Sequence, residues 1–167
     1  MTSEVEIINS AMNMIGASNI ISRSEDSKAA RVSNQRYDAI RDAVLRSHPW
    51  NCAVTRTALA PDVDTPAFDW KFQFTLPADP FCLRVLRLDH LDIDHRVEGR
   101  KIVTDESTIN LVYIARITDP NTYDTLLVEA ISARLAADVS FTLSQSTSLT
   151  QSMYALYDSK LKEARFV

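Results

Sequence analysis

Glycine is scarce in this chain of 167 residues, which contains only Gly16 and Gly99. Phosphate-binding loops and dinucleotide-binding fingerprints need several glycines within a few residues, because the backbone must approach the phosphates closely. Two glycines so far apart in the sequence cannot build either motif. The composition therefore excludes the classes of nucleotide-binding protein that depend on those loops.

Cysteine and histidine are also rare, with two and three residues respectively. Neither a C-x-x-C pair nor an H-E-x-x-H pattern occurs, so the common zinc motifs are missing. No arginine-rich or signal-like leader opens the sequence, and with so few cysteines we expect a reducing compartment. The apolar runs are much shorter than the roughly 18 to 20 residues of a membrane-spanning helix. We therefore expect no membrane partner.

The charged residues are balanced, with 18 Lys and Arg against 22 Asp and Glu and a formal net charge of −4. No block of like-signed residues interrupts the sequence. A protein that binds nucleic acid usually carries a basic stretch or stripe, and none is visible at the level of the chain.

Two helices are predicted at the start of the chain. The pairs Ser3/Glu6 and Ser22/Glu25 have the spacing of capping boxes, and each precedes apolar residues at helical intervals. Proline disfavours helical geometry in the residue before it, so the second helix should end ahead of Pro49.

Two more helices are predicted at the end of the chain. Asp119-Pro120 has the form of a helix start, with aspartate as N-cap and proline in the first turn. The segment 123–141 is apolar around most of its circumference, which favours the central helix of a bundle. A polar run, Ser144 to Ser148, separates it from a fourth helix.

Between these pairs the apolar period changes from 3.6 to 2. The strongest alternation runs from Phe68 to Leu76 and predicts a strand with five large apolar side chains on one face. Weaker strand patterns occupy 52–59, 83–88, 96–104 and 109–114, with Glu98-Gly99 as a hairpin turn. The predicted fold class is α+β, a four-helix bundle with a small antiparallel β region inserted between helices 2 and 3. The boundaries are 1–49 for helices 1 and 2, 50–118 for the β region, and 119–167 for helices 3 and 4.

The segment from Asp89 to His95 holds three carboxylates and two imidazoles, which are metal-ligating groups. A metal-dependent hydrolase using His90, Asp92 and His95 is therefore one alternative function. On a strand, however, the two histidines point to opposite faces, which favours an exposed connection. A monomeric binding module is a second alternative. We predict no catalytic residues, no cofactor and no metal.

Four motifs occur in a specific order: Ile15-Gly16-Ala17; Tyr37 and Leu45 ahead of His48-Pro49-Trp50; Leu76-Pro77-Ala78-Asp79; and Thr118-Asp119-Pro120 leading into Glu129-Ala130. With the stretches around them, 11–53, 72–85 and 113–140, they resemble the tail tubular protein A family of tailed bacteriophages. The resemblance covers nearly the whole chain. The sequence departs from the family at Cys52, where an aromatic residue is common, and in ending at Val167 without a long extension.

The resemblance implies a head-to-tail adaptor, which is a structural protein of the virion and not an enzyme, made in the host cytoplasm. Its subunits form a homo-oligomeric ring, usually a dodecamer, between the portal protein and the distal tail or nozzle protein. DNA passes through the lumen without sequence-specific binding, and an acidic chain suits that role because it does not hold the phosphate backbone.

The resemblance also implies that the C-terminal segment reaches the portal. The candidate interface residues there are Lys160, Lys162, Arg165, Phe166 and Val167. The serines ahead of the fourth helix, Ser144, Ser146 and Ser148, are the next candidates. In the opposing interpretation, Phe166 closes the base of the bundle and contacts no partner.

Overall fold

The computed structural model describes residues 1–89 and 92–166. Within this part of the chain, four α-helices and six strands follow one another in the order helix, helix, six strands, helix, helix. The chain divides into two compact units. The helical unit comprises Met1–His48 and Thr118–Val167, and the strand unit comprises Pro49–Ile117.

The helical unit is organised around its third helix. Its members are α1 (Glu4–Met14), α2 (Lys28–Ser47), α3 (Thr125–Ser144) and α4 (Thr147–Arg165). Helix α3 buries residues on all sides, and α1, α2 and α4 each pack against it. This agrees with the sequence, because a helix that is apolar around its circumference must be covered on more than one face.

The predicted four-helix bundle with a small β insertion is wrong, although the strands do lie between helices 2 and 3. In a bundle four helices enclose one core, whereas here three helices pack around α3. Helix α4 buries only Tyr157 and Ala164, so it lies on one side of α3. The β region is also not a small appendage, because it has two sheets and a hydrophobic core of its own.

The strand unit contains two antiparallel sheets of three strands. Its strands are β1 (Val54–Leu59), β2 (Phe72–Thr75), β3 (Cys82–Leu88), β4 (His95–Glu98), β5 (Lys101–Thr104) and β6 (Ile109–Ala115). The first sheet has the order β1-β6-β3 and the second the order β2-β5-β4. The hairpin between β4 and β5 turns at Gly99, whose φ of 59° favours glycine, as the sequence predicted.

The two sheets bury their inner faces in one shared core. Phe74 and Ile102 enter it from the second sheet, and Leu88, Leu111 and Tyr113 enter it from the first. Alternate residues of a strand point to opposite faces, so the intervening side chains form the outer faces of the unit. The sequence predicted one sheet because the periodicity of a strand does not show which strands pair.

The predicted strand from Phe68 to Leu76 is wrong over its first half. Only Phe72–Thr75 is extended in a sheet, and Phe74 and Leu76 are buried as expected. Phe68 is 77% exposed. Asp69 has a φ of 70°, which no strand residue adopts, and the chain turns there.

The helix starts are partly as predicted. Ser3 and Glu6 form the capping box of α1, with each side chain bonded to the other residue's N–H. The second pair does not cap α2, since Ser27 fills that position. Glu25 instead accepts a hydrogen bond from the N–H of Ile21 at 2.7 Å, which lowers the pKa of its carboxyl.

Helix α3 also begins later than predicted. Asp119 caps only the short 3-10 turn Pro120–Thr122, accepting a hydrogen bond from the N–H of Asn121. The N-cap of α3 is Asp124, which accepts from the N–H of Leu126.

Candidate functional site

The serines predicted as interface residues build the turn between α3 and α4. Ser144 Oγ donates to the carbonyl of Ser140 at 2.7 Å and accepts from the N–H of Ser146 at 3.2 Å. Ser146 is the N-cap of α4 and accepts from the N–H of Leu149 at 3.2 Å. Ser148 is exposed, and its hydroxyl lies 3.2 Å from that of Ser146. Ser144 and Ser146 therefore have a structural role in the turn.

The middle of α4 is held to α3 by one arginine and two tyrosines. The guanidinium of Arg134 in α3 lies 5.5 Å from the ring centre of Tyr154 and 5.3 Å from that of Tyr157. Cation–π contacts of this kind are favourable within about 6 Å. Tyr157 is buried, and burial raises the pKa of its phenol.

Lys160 also belongs to this packing. Its Nζ lies 2.5 Å from Oε2 of Glu129 in α3, and this hydrogen bond raises the pKa of the lysine. A second carboxylate, that of Glu163, lies 3.7 Å away. The ammonium of Lys160 is therefore engaged within the subunit, and its place in a portal interface stays a prediction.

The end of α4 presents the remaining candidates. Lys162 is exposed, and Nη2 of Arg165 donates to the carbonyl of Ser47, the last residue of α2, at 3.4 Å. Both cations lie in the last turn, where they complement the negative end of the helix dipole. Phe166 follows as the C-cap and is 92% exposed. Val167 lies outside the described residues.

The exposure of Phe166 bears on one of the two interpretations of this residue, the one in which it closes the base of the bundle. A phenylalanine that closed the base of the helical unit would be covered by its neighbours, and Phe166 is not. The interpretation in which it packs inside the subunit is wrong. Phe166 with Lys162 and Arg165 forms an exposed apolar group beside two cations, which we call the C-terminal patch.

The structure does not bring the serines and the C-terminal patch together. They lie at opposite ends of α4, whose 19 residues span about 28 Å at 1.5 Å per residue. Any partner of the C-terminal patch would need to extend along the whole helix to reach Ser148.

Among the described residues, the metal ligands proposed from the sequence do not form a site. His90 lies outside the described residues, Asp92 is exposed, and Nδ1 of His95 lies 2.9 Å from the carbonyl oxygen of Ile93. Across residues 1–89 and 92–166, no three His, Cys, Asp or Glu side chains converge to hold a metal ion. The hydrolase alternative stays an untested prediction.

Sequence reasoning missed two surfaces of the strand unit. One is the loop between β1 and β2, in which Val63 and Phe68 are exposed. The other is a pocket on the outer face of the first sheet, lined by Arg56 and Arg87. These arginines are far apart in the sequence and meet only because both pair with Val112 of β6. No local sequence pattern could have shown this.

Comparison with models of known protein families finds no match, and comparison with curated proteins finds no significant relative. In the part of the chain that the structure covers, no helix is both long enough and apolar enough to cross a membrane.

Proposed function

We propose that this protein is a head-to-tail adaptor of a tailed bacteriophage, a ring subunit between the portal and the tail. The observation that carries the proposal is the position of the ordered motifs in the fold. His48-Pro49-Trp50 and Thr118-Asp119-Pro120 flank the two points at which the chain passes from one unit to the other. The motifs that carry the resemblance thus bracket the strand unit. The resemblance implies a helical bundle with an inserted β region, and the structure has the insertion but not the bundle.

The other motifs also fall at positions where the backbone or core restricts the residue. Gly16 has a φ of 68° at the end of α1, where a residue other than glycine would be strained. Tyr37 and Leu45 of α2 are fully buried. Motifs placed in this way support a shared fold, since each residue type is needed for a physical reason.

The C-terminal patch supports contact with a portal. An exposed phenylalanine costs free energy in water and gains it when buried against a partner, by about 25 cal/mol for each Å² covered. The adjacent cations, Lys162 and Arg165, favour a partner whose apolar groove has an acidic rim. We propose that Phe166 enters such a groove on the portal.

The test uses the full chain and the portal protein encoded in the same genome. Wild type, Phe166→Ser and Ile21→Ser are mixed with purified portal rings and followed by co-sedimentation and negative-stain electron microscopy. Ile21 is the matched control because it is also apolar and also 92% exposed. We expect wild type and Ile21→Ser to add a ring-shaped layer to the portal and Phe166→Ser to add much less.

Two outcomes would contradict the proposal at different levels. If wild type adds no layer to the portal, the adaptor function is wrong. If Phe166→Ser adds as well as wild type, the adaptor function stands and the contact lies elsewhere, with Ser148 as the next candidate. Melting curves of all three proteins should agree, because exposed substitutions change stability by about 0.5 kcal/mol or less.

A further inference from the structure

The loop between β1 and β2, residues 60–71, displays apolar side chains to solvent. Val63 is fully exposed and Phe68 is 77% exposed, and Asp64 and Asp69 stand beside them. We call this segment the aromatic loop. It lies over the outer face of the second sheet, where Trp70 and the neighbouring Pro66 line a pocket with Val103. The aromatic loop thus presents two exposed apolar side chains with carboxylates next to them in the sequence.

The aromatic loop is fixed at both ends. Near its start, the carboxylate of Asp62 accepts from Nζ of Lys101 at 2.6 Å and from the N–H of Thr75 at 3.2 Å. At its end, the N–H of Lys71 donates to Oδ1 of Asp105 at 3.0 Å. A loop held in this way loses little conformational freedom when it binds, which favours affinity.

The turn that presents Phe68 is strained. The N–H of Trp70 donates to the carbonyl of Phe68 at 2.9 Å, and Asp69 between them has a φ of 70°. This is a γ-turn with a positive central φ, a form that is rare because it costs free energy. The turn leaves Trp70 half-buried and Phe68 in solvent.

The outer face of the first sheet carries a surface of complementary chemistry. Arg56 of β1 and Arg87 of β3 both pair with Val112 of β6, so the two arginines stand on either side of this buried valine. Nη1 of Arg87 donates to the carbonyl of Leu88 at 3.1 Å. They line a pocket of about 490 Å³ that also includes Ala58. We call it the arginine pocket. The pocket also contains the carboxylate of Asp89, which accepts from Nδ2 of Asn110 at 3.1 Å.

We propose that the aromatic loop of one copy of this chain docks in the arginine pocket of a second copy. Phe68 lies over Val112 between the two guanidinium groups, and Asp64 and Asp69 face those cations. The contact gains from burial of an aromatic ring, cation–π contact and charge-assisted hydrogen bonds, and these oppose the repulsion between the carboxylate of Asp89 and those of the loop.

The strand unit already contains the same arrangement internally. The ring of Phe81 lies between two arginines, with the guanidinium of Arg100 3.9 Å and that of Arg116 4.3 Å from its centre. A phenylalanine between two arginines is therefore a packing that this chain accommodates. The proposed contact repeats it between copies.

The two surfaces lie on opposite sides of the strand unit. The sheets share a core through their inner faces, so the outer faces that carry the loop and the pocket point away from each other. A contact between two different, opposed surfaces is heterologous, and repeated contacts of this kind make a closed ring or an open filament. The choice of a ring over a filament rests on the proposed adaptor function. The contact between copies does not depend on a portal.

The first experiment measures self-association of the full chain by sedimentation velocity up to about 1 mM, the weak end of specific affinities. We expect Phe68→Ser, and separately Arg56→Glu with Arg87→Glu, to weaken association at least about tenfold, as for central interface residues. Val97→Ser and Arg31→Glu are the matched controls, because they remove an exposed apolar group of β4 and an exposed cation of the helical unit. The controls should associate like wild type.

Mixing the two defective variants gives a sharper test. The loop variant keeps its pocket and the pocket variant keeps its loop, so together they should form heterodimers and nothing larger. Phe68 replaced by a photo-reactive phenylalanine should crosslink to Arg56–Ala58 or to Val112 of an isotopically labelled second copy. Circular dichroism melting establishes that each variant is folded.

The inference is overturned if wild type stays monomeric at about 1 mM, or if oligomers form equally well in both variants. In the second case a ring built through another surface remains open, and the adaptor function stands. Electron microscopy tests whether the contact closes a ring. If it shows filaments that depend on Phe68, the loop–pocket contact is correct and the ring is wrong. Crosslinks from position 68 to any other surface also overturn the inference.

Discussion

The ammonium of Lys101 in β5 lies 2.6 Å from Oδ2 of Asp62 and so ties the start of the aromatic loop to the second sheet. The hydrogen bond from Lys101, together with those from Thr75, lowers the pKa of the Asp62 carboxyl. A carboxyl whose pKa is lower in the folded state stabilises the fold at neutral pH. That contribution is lost as the pH falls below about 4 and through the folded pKa.

We therefore expect Asp62→Asn to loosen the aromatic loop at neutral pH. Hydrogen exchange of the amides from Val63 to Phe68 should accelerate in this variant, and the acid dependence of stability below about pH 4 should become shallower. Asp64→Asn is the control, since Asp64 is an exposed carboxyl of the same loop. Equal exchange in the two variants would show that the bond to Lys101 does not hold the loop.

The phenylalanines of the predicted strand should differ strongly in their contribution to stability. Phe74 is fully buried in the core shared by the two sheets, so Phe74→Ala should destabilise the protein by about 3 to 5 kcal/mol. Phe68→Ala should change stability by about 0.5 kcal/mol or less, because the side chain is exposed. Urea denaturation measures both. Similar losses would mean that the side chain of Phe68 is packed and not exposed.

Tyr37 of α2 is fully buried, and its hydroxyl has no hydrogen-bond partner among the described residues. An unsatisfied buried polar group costs about 1 to 3 kcal/mol, so we expect Tyr37→Phe to leave the protein equally stable or more stable. The ring keeps its contact with the guanidinium of Arg23, 5.1 Å from its centre.

Burial also raises the pKa of Tyr37, which adds a dependence on alkaline pH. Above about pH 10 the unfolded tyrosine ionises while the folded one stays neutral, so stability falls as the pH rises. Tyr37→Phe should reduce this fall, and Tyr154→Phe, at an exposed tyrosine, should not. Thermal melting at pH 7 and above pH 10 compares them; an unchanged alkaline slope in Tyr37→Phe would contradict the assignment.

The two serines at the start of α4 should separate structure from binding. Ser146→Ala removes the N-cap of α4 and should cost about 1 kcal/mol of stability. Ser148→Ala removes an exposed hydroxyl within the first turn and should cost less than half as much. Chemical denaturation measures the difference. A larger loss of stability for Ser148→Ala would show that Ser146 is not the N-cap of α4.

The ends of several elements were predictable because they depend on neighbouring residues. The capping box at Ser3 and Glu6 and the positive φ at Gly99 follow from short-range hydrogen bonding and steric freedom. The start of α2 could not be predicted in this way, because Ser22 and Ser27 are both residues that favour an N-cap, and the choice between them is not local. Asp119-Pro120 was misleading for a similar reason, since a 3-10 turn satisfies the same local preferences as a helix.

The pairing of strands and the candidate surfaces required the structure. Alternation from Phe68 to Leu76 looks continuous, but Asp69 turns the chain and places Phe68 in solvent. Arg56 and Arg87 become neighbours through β6, which follows both in the sequence. The exposure of Phe166 depends on where α4 ends relative to α3, and helical periodicity does not fix that position.

The first and last strands of the strand unit are neighbours. β1 and β6 pair along their length, and the N–H of Ala115 donates to the carbonyl of Ala53 at 2.8 Å. Once the strand unit has folded, its two ends lie close together, so the connection between α2 and α3 is equivalent to a short loop. Shortening a loop by about four doublings of length lowers its closure entropy cost by roughly 2.4 kcal/mol. The helices at the two ends of the chain thus gain from the folding of the strands between them, and a destabilising substitution in the strands should also slow the assembly of the helices.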